Sequence, residues 1–221
     1  HPKWLVDEFW RALGPEETAA LLEADNSRPP ITAMVNTVKT DTAALCRRIE
    51  EAGVSAAPHS WLSNCLELSG TGNLEELSAF QDGLYYIQDP ASRLAVLASG
   101  VKPGMKVLDC CAAPGGKSFA AAIQMENTGE LISCDLHPHK KTLIQKGAQR
   151  LGLTCVTAMT ADATVFRPEW ENAFDTVLTD APCSGLGVIR KKPDIRYKDP
   201  EPLSGLPAVQ LAILNNVKRY V

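Results

Sequence analysis

The sequence predicts an α/β fold built on a parallel sheet, and two short stretches carry most of that prediction. In residues 105–118 and 176–185, an apolar run ends in an aspartate that is followed by small residues, proline and glycine. A buried parallel strand ends in this way when it enters a loop at its carboxyl end, where open α/β sheets bind ligands. The chain has 221 residues, 45% of them hydrophobic, which is enough to bury a core and to form two domains.

The N-terminal part is predicted to begin with helix and to continue as a small α+β domain. Apolar residues recur at helical spacing over residues 4–24. Asp41 is a suitable N-cap for a following helix that ends at Gly53. Three strand-like runs accompany this helix, at residues 31–35, 54–57 and 65–68. We therefore expect two domains, an N-terminal helical and small α+β domain over residues 1–83 and a core domain over residues 84–221.

In the core, an acidic residue stands at or near the end of each of four successive predicted strands. These residues are Asp109, Asp135, Asp162 and Asp180. The predicted strands are 105–108, 131–134, 154–160 and 176–178, with helices over 118–125 and 139–151. Any one of the four could be a helix N-cap, which is the usual role of an aspartate after a strand. Four in series favour a ligand site along the carboxyl edge of the sheet, with Asp135 at the place where dinucleotide folds hold ribose hydroxyls.

The loop after the first of these strands contains Gly115 and Gly116, which let the backbone approach a ligand closely. It lacks the G-x-G-x-x-G pattern of dinucleotide-binding loops. It also departs from the phosphate-binding G-x-x-x-x-G-K-[ST] loop, because Cys111 stands where the first glycine is needed. A glycine-bearing turn without a ligand is the alternative for this loop alone. If a ligand binds, we expect it to carry less phosphate-like charge than a nucleoside triphosphate.

Several of these residues resemble the motifs of a known family. The segment from Val107 to Tyr197 resembles the S-adenosylmethionine-dependent RNA cytosine-5 methyltransferases of the Nop/Sun group, especially the bacterial B-type enzymes that act on 16S ribosomal RNA. The matching pieces in this segment are 111–117, Asp135, Asp162, 180–184, 187–190 and 193–195. Upstream, residues 1–6, 26–30, 35–36 and 88–92 also resemble that group.

The resemblance implies a Rossmann-like methyltransferase sheet, here incomplete at its C-terminus, that binds S-adenosyl-L-methionine. It also implies which residues of this chain bind the cofactor. They are Cys111, Ala112, Ala113, Pro114, Gly115, Gly116, Lys117, Asp135, Asp162 and Asp180.

The resemblance also implies transfer of a methyl group to C5 of a cytosine in RNA by two cysteines and an aspartate. Cys183, in a Pro-Cys motif, is implied to help resolve the covalent RNA adduct, and Asp180 to contact the target base. The nucleophilic cysteine is expected in a Thr-Cys motif beyond Val221, so we expect the chain to be an internal piece of a longer enzyme. Cytosine-5 methylation of DNA uses a Pro-Cys cysteine as nucleophile, so that role for Cys183 stays open. A non-catalytic fragment that binds cofactor or RNA is the alternative function.

The charge of the chain is unevenly distributed. The net charge is −4 overall, with 7 basic and 14 acidic residues in 1–100 but 15 and 12 in 101–221. Residues 188–198, beside the Cys183 loop, hold five basic residues and one acidic one. Such a run is often only a solvated loop, but its place and the interleaved Tyr197 favour an RNA groove. The predicted RNA-binding residues are Arg190, Lys191, Lys192 and Arg196.

Composition favours an intracellular protein. Seven cysteines occur without the spacing of a disulfide framework, and neither C-x-x-C nor a His/Cys pair at zinc spacing is present. No apolar run approaches the length of a membrane span, and no signal peptide is recognisable. We expect a cytoplasmic protein that binds ribosomal RNA but neither a metal nor a membrane. The sequence does not predict its oligomeric state.

Overall fold

A computed structural model describes residues 1–221, except for the side chain of Pro202. Contacts within the chain group the residues into two compact units. One consists of residues 1–30 and 182–210, and the other of residues 31–181 and 211–221. This grouping differs from the expected boundary after residue 83, which remains a prediction about domain organisation.

The larger unit begins with a four-stranded antiparallel sheet. Its strands are β1 (Ile31–Val35), β2 (Ser55–Pro58), β3 (Cys65–Ser69) and β4 (Tyr85–Ile87), in the order β2-β3-β1-β4. Helix α3 (Thr42–Glu51) begins as predicted, because the Asp41 carboxylate accepts a hydrogen bond from the backbone N–H of Ala44. The predicted β-α-β-β order is confirmed. A short helix α4 (Ser78–Gln81) then leads to β4, which the sequence analysis did not predict.

The second sheet of this unit is parallel. Its strands are β5 (Lys106–Asp109), β6 (Glu130–Asp135), β7 (Val156–Thr160) and β8 (Thr176–Leu178), in the order β7-β6-β5-β8. The accompanying helices are α5 (Pro90–Ala98), α6 (Gly116–Gln124) and α7 (Pro138–Leu151). Helix α8 (Leu206–Val217) belongs to this unit from Leu211 onward. The predicted fold class, a Rossmann-like parallel sheet preceded by a small α+β domain, is confirmed. The strand order reverses between β5 and β8, which is where open α/β sheets form a ligand crevice.

Two residues that follow β1 of the antiparallel sheet donate hydrogen bonds to the last turn of helix α7. The buried Asn36 side chain donates hydrogen bonds of 2.8 Å to the carbonyls of Gly83 and Leu151, and Lys39 Nζ donates to the carbonyl of Arg150. The last carbonyls of a helix have no partner within the helix, so these two side chains cap it from the small sheet. Gly83 has φ +70°, and an added Cβ would lie 2.0 Å from the Arg150 oxygen, so a larger residue does not fit there.

The smaller unit contains helices α1 (Lys3–Leu13) and α2 (Pro15–Asn26). They are separated at Gly14, which has φ +81°, and at Pro15. Its core is an apolar cluster in which short 3₁₀ turns pack against α1. The cluster contains buried Leu5, Ile189 and Ile195 with half-buried Trp4, Phe9 and Leu186. Within the described part of the chain, no helix is both long and apolar enough to cross a membrane.

Candidate active site

The loop between β5 and α6 is a tight backbone turn at the point where the strand order reverses. The N–H of Ala112 donates to the carbonyl of Cys134 on β6 (2.8 Å), and the N–H of Gly115 donates to the carbonyl of Ala112 (2.7 Å). Gly115 has φ +112°, a conformation that L side chains rarely adopt. These contacts fix the predicted cofactor loop against the carboxyl end of β6.

An aromatic side chain supports this loop from the helix side. An added Cβ on Gly115 would lie 2.4 Å from Phe119 Cζ, and one on Gly147 of α7 would also lie 2.4 Å from it. The Phe119 ring therefore occupies space that glycine leaves open on both the loop and the helix, and Tyr86 packs edge-on against it. The sequence did not indicate a role for Phe119 or Gly147. A glycine inside a helical pattern was the only signal that could have indicated close packing there.

Asp109 ends β5 directly beneath the loop and is fully buried. Its Oδ2 accepts a 2.7 Å hydrogen bond from the Ser118 hydroxyl. Its Oδ1 is buried and has no partner at hydrogen-bond geometry among the described residues. Burial raises the pKa of Asp109 to about 6, although the Ser118 hydrogen bond and the Lys117 charge act in the opposite direction. Asp109 therefore supports the loop, but removing its ionised carboxylate from water costs free energy.

Asp135 and Asp162 follow the next two strands. Asp135 ends β6 and is 7% exposed. Its Oδ1 accepts from the N–H of His137 (3.1 Å) and lies 3.7 Å from Lys140 Nζ. Asp162 is exposed, and its Oδ1 accepts from the hydroxyl and the N–H of Thr164, hydrogen bonds that lower its pKa. Both carboxylates lie where the sequence predicted them, at the carboxyl edge of the sheet.

An ion pair crosses the point where the strand order reverses. Lys117, at the start of α6, places its Nζ 2.6 Å from Asp180 Oδ2, two residues after β8. The same ammonium lies 3.5 Å from the Ser92 hydroxyl of α5. The sequence predicted Lys117 and Asp180 as separate site residues, and the structure brings them together. Ser92 belongs to residues 88–92, which resemble the family, and its proximity to Lys117 was not predicted.

The smaller unit holds Cys183 and the basic residues. Cys183 is an exposed free thiol. Arg190 and Arg196 are half-buried, whereas Lys191 and Lys192 are exposed. The residues predicted to bind RNA therefore lie on one short segment but differ in exposure.

Comparison with known proteins identifies the family. The model of the 16S rRNA methyltransferase RsmB/F family matches residues 96–221. The chain belongs to this family. The model of its RsmF/B-like ferredoxin-like domain matches residues 1–75. Both matches confirm the resemblance to the Nop/Sun methyltransferases.

Individual relatives of the family agree with this assignment. The chain is 41% identical, over its whole length, to the probable ribosomal RNA small subunit methyltransferase B of Bacillus subtilis and covers 50% of it. It is 32% identical over 97% of its length to the ribosomal RNA small subunit methyltransferase B of Vibrio cholerae, covering 49% of that protein. The crystal structure of PH0851 superposes with a TM-score of 0.94 at 31% identity, over all of this chain and 50% of that one. The chain thus spans about half the length of the curated relatives it matches.

Proposed function

We propose that this chain is the cofactor-binding half of an enzyme that transfers a methyl group from S-adenosyl-L-methionine to C5 of a cytosine in 16S ribosomal RNA. The observation that carries the proposal is the arrangement of the glycine loop, Asp135 and the Lys117–Asp180 pair along one edge of the parallel sheet. The family membership supports the reaction class, and the five basic residues within residues 188–198 support an RNA substrate.

The residues at this edge fit the chemistry of the cofactor. S-adenosylmethionine carries positive charge, ribose hydroxyls and an adenine amino group, and carboxylate oxygens can accept from or attract all of these. In the described residues, Oδ2 of Asp135 makes no hydrogen bond, so it can accept from a ribose hydroxyl. Asp162 is proposed to lie near the adenine amino group, and the backbone of residues 111–117 along the methionine and ribose. When bound, the cofactor supplies an electrophilic methyl group.

Replacing Asp135 with alanine is expected to weaken S-adenosylmethionine binding by about 1.5–3 kcal/mol, the range for a hydrogen bond to a charged group. Isothermal titration calorimetry on the chain measures this directly. Asp175→Ala is the matched control, because Asp175 lies at the opposite edge of the same sheet, where it accepts from the N–H of Lys106. Equal affinities for the wild type and the Asp135→Ala variant would show that Asp135 does not bind the cofactor.

Cys183 is proposed to act after methyl transfer rather than as the nucleophile. The family resemblance implies a nucleophilic thiolate in a Thr-Cys motif; we propose that this thiolate forms a bond to C6 of the cytosine, which makes C5 electron-rich. After C5 is methylated, loss of its proton and cleavage of the bond between C6 and sulfur release the product. We propose that Cys183 assists this elimination and that Asp180 contacts the base.

The test of this role uses a chimera in which the chain is extended with the downstream part of the Bacillus subtilis relative. In the chimera, Cys183→Ala is expected to accumulate a covalent RNA adduct, seen as a slow band on a denaturing gel. Cys46→Ala, which changes a half-buried thiol on α3, is the control and should turn over without accumulation. Loss of the adduct in the Cys183→Ala chimera, with RNA binding intact, would make Cys183 the nucleophile. A chimera that binds cofactor but forms neither adduct nor product would favour the non-catalytic alternative.

Two further expectations belong to the same proposal. RNA is proposed to lie against the basic residues Arg190, Lys191, Lys192 and Arg196, because phosphate contacts supply much of the affinity for nucleic acids. The protein is proposed to act in the cytoplasm.

A further inference from the structure

A cleft of about 540 Å³ lies next to the predicted cofactor loop, within the larger unit. One wall is formed by residues 72–75 and by strand β4, and the other by the start of α6 and by Arg150 of α7. Pro114 and Gly116 of the loop also line the cleft. A ligand held there would therefore lie beside the place where the cofactor is proposed to bind.

The walls of the cleft offer apolar surface to a flat ligand. Ile87 on β4 is 45% exposed, Pro114 is exposed, and the Phe80 ring is half-buried. Pockets for small ligands have volumes of about 300–1,000 Å³, so the cleft has room for a nucleobase. Unstacked bases of single-stranded RNA pack against aromatic and apolar side chains and are read through hydrogen bonds to their edges.

Arg150 supplies hydrogen-bond donors to the cleft. Its Nη1 donates to the carbonyls of Phe80 at 2.6 Å and of Tyr85 at 3.0 Å, and its guanidinium lies 3.7 Å from the centre of the Phe80 ring. In the described part of the chain, its Nη2 and Nε make no hydrogen bond. Because the guanidinium is already held by the small sheet, little further ordering is needed when these N–H groups bind a ligand.

Glu75 supplies acceptor oxygens to the same cleft. Its backbone N–H donates to Asn73 Oδ1 at 3.1 Å, which holds the turn. Its carboxylate is exposed and makes no hydrogen bond or ion pair with another described residue. Burial lowers the pKa of Arg150, and the negative charge of Glu75 is among the effects that oppose this, so the two groups lie within electrostatic reach.

Guanine fits this combination of donors and acceptors. Its O6 and N7 accept from arginine, which is the commonest base-specific contact. Its N1–H and 2-amino group lie on one edge and can both donate to a carboxylate. Adenine has an acceptor, N1, in place of the N1–H, and cytosine has only its 4-amino group to donate.

We infer that the cleft binds a guanine base of the RNA substrate near the target cytosine. Arg150 donates to O6 and N7 of this base, and Glu75 accepts from N1–H and the 2-amino group. The inference rests on the proposed function and adds to it a sequence requirement in the RNA.

Fluorescence anisotropy with matched RNAs tests this inference. The probes are fluorescein-labelled RNAs of sequence UUUUUXCXUUUUU, in which X is guanine, inosine, adenine or cytosine. Inosine has the guanine ring system without the 2-amino group. The wild type is expected to bind the guanine RNA at least about tenfold more tightly than each of the other three, which is the effect of one hydrogen bond to a charged group.

A charge-removing variant separates base recognition from general electrostatics. Glu75→Gln is expected to weaken binding of the guanine RNA about tenfold and to leave binding of the adenine RNA unchanged or slightly tighter. Removing an acidic residue ordinarily strengthens binding to a polyanion, so a loss confined to the guanine RNA cannot come from net charge. Glu76→Gln is the matched control, because it removes the same charge one position away from the cleft lining and should not weaken either RNA.

A nuclear magnetic resonance measurement does not depend on RNA contacts elsewhere on the chain. Millimolar guanosine monophosphate should shift the Nε–H resonance of Arg150 in the ¹⁵N-labelled chain. Adenosine monophosphate should not, and the Glu75→Gln variant should lose the response to guanosine monophosphate.

The possible failures differ from one another. If Glu75→Gln changes binding of the guanine and adenine RNAs by the same factor, the cleft does not read guanine and the inference is wrong. If guanosine monophosphate shifts the Arg150 resonance while the four RNAs bind equally, the cleft takes a free nucleotide and its assignment to RNA is wrong. If no RNA binds but the nucleotide response depends on Glu75, the guanine site stands and the RNA surface of the proposed function fails. If neither RNA nor guanosine monophosphate binds, the inference is wrong, and calorimetry with S-adenosylmethionine still decides the cofactor site.

Discussion

Replacing Asn36 with leucine is expected to lower the free energy of unfolding by about 2–6 kcal/mol. The asparagine amide donates to the carbonyls of Gly83 and Leu151, and it is fully buried. Leucine has a similar size but no donor, so the substitution leaves two buried carbonyl oxygens without these bonds. Each unsatisfied group costs about 1–3 kcal/mol.

Urea denaturation followed by circular dichroism measures this loss. Asn215→Leu is the matched control, because it makes the same substitution at an exposed position on α8 and should shift the midpoint little. Since Asn36 caps the last turn of α7, hydrogen exchange should also increase near Leu151. Equal midpoints for the Asn36→Leu variant and the wild type would show that water replaces both hydrogen bonds at no cost.

Replacing Asp109 with asparagine is expected to stabilise the chain at neutral pH by up to about 3 kcal/mol. Burial raises the pKa of this aspartate from 3.8 to about 6, and one pKa unit corresponds to about 1.4 kcal/mol. Asparagine is neutral and close in shape, and the Ser118 hydroxyl can either donate to it or accept from it. The variant therefore keeps the local contact and removes the buried charge.

The stability gained by Asp109→Asn is expected to depend on pH. Between about pH 4 and pH 6, the native state retains the Asp109 proton while the unfolded state loses it, so the wild type loses stability as the pH rises. The stability gain of Asp109→Asn should accordingly be near zero at pH 4 and complete above about pH 6. Asp162→Asn is the contrasting control, because hydrogen bonds from Thr164 lower the pKa of that carboxylate, and it should give no gain. A constant difference between Asp109→Asn and the wild type across this range would contradict the assignment.

The sequence by itself determined the local elements and the edge of the sheet that carries the site. Strand runs, the Asp41 cap and the glycine loop depend on residues close together in the chain, and their patterns predict structure directly. The aspartates after the parallel strands could also be placed, because every parallel strand ends at the same edge of its sheet. Family motifs within residues 107–197 added the reaction class that these local patterns do not contain.

The tertiary structure alone decided which distant residues meet. Strand β4 has only three residues, and it is a strand because it pairs with β1. Asn36 reaches Leu151 across 115 positions of the chain, and Arg190 reaches Arg28 across 162. No periodicity or turn signal in the sequence indicates these pairings, because they form only when the core brings separate segments together. For that reason the sequence could mark Arg190 only as a basic residue, whereas the structure shows that it is half-buried and donates to the Arg28 carbonyl.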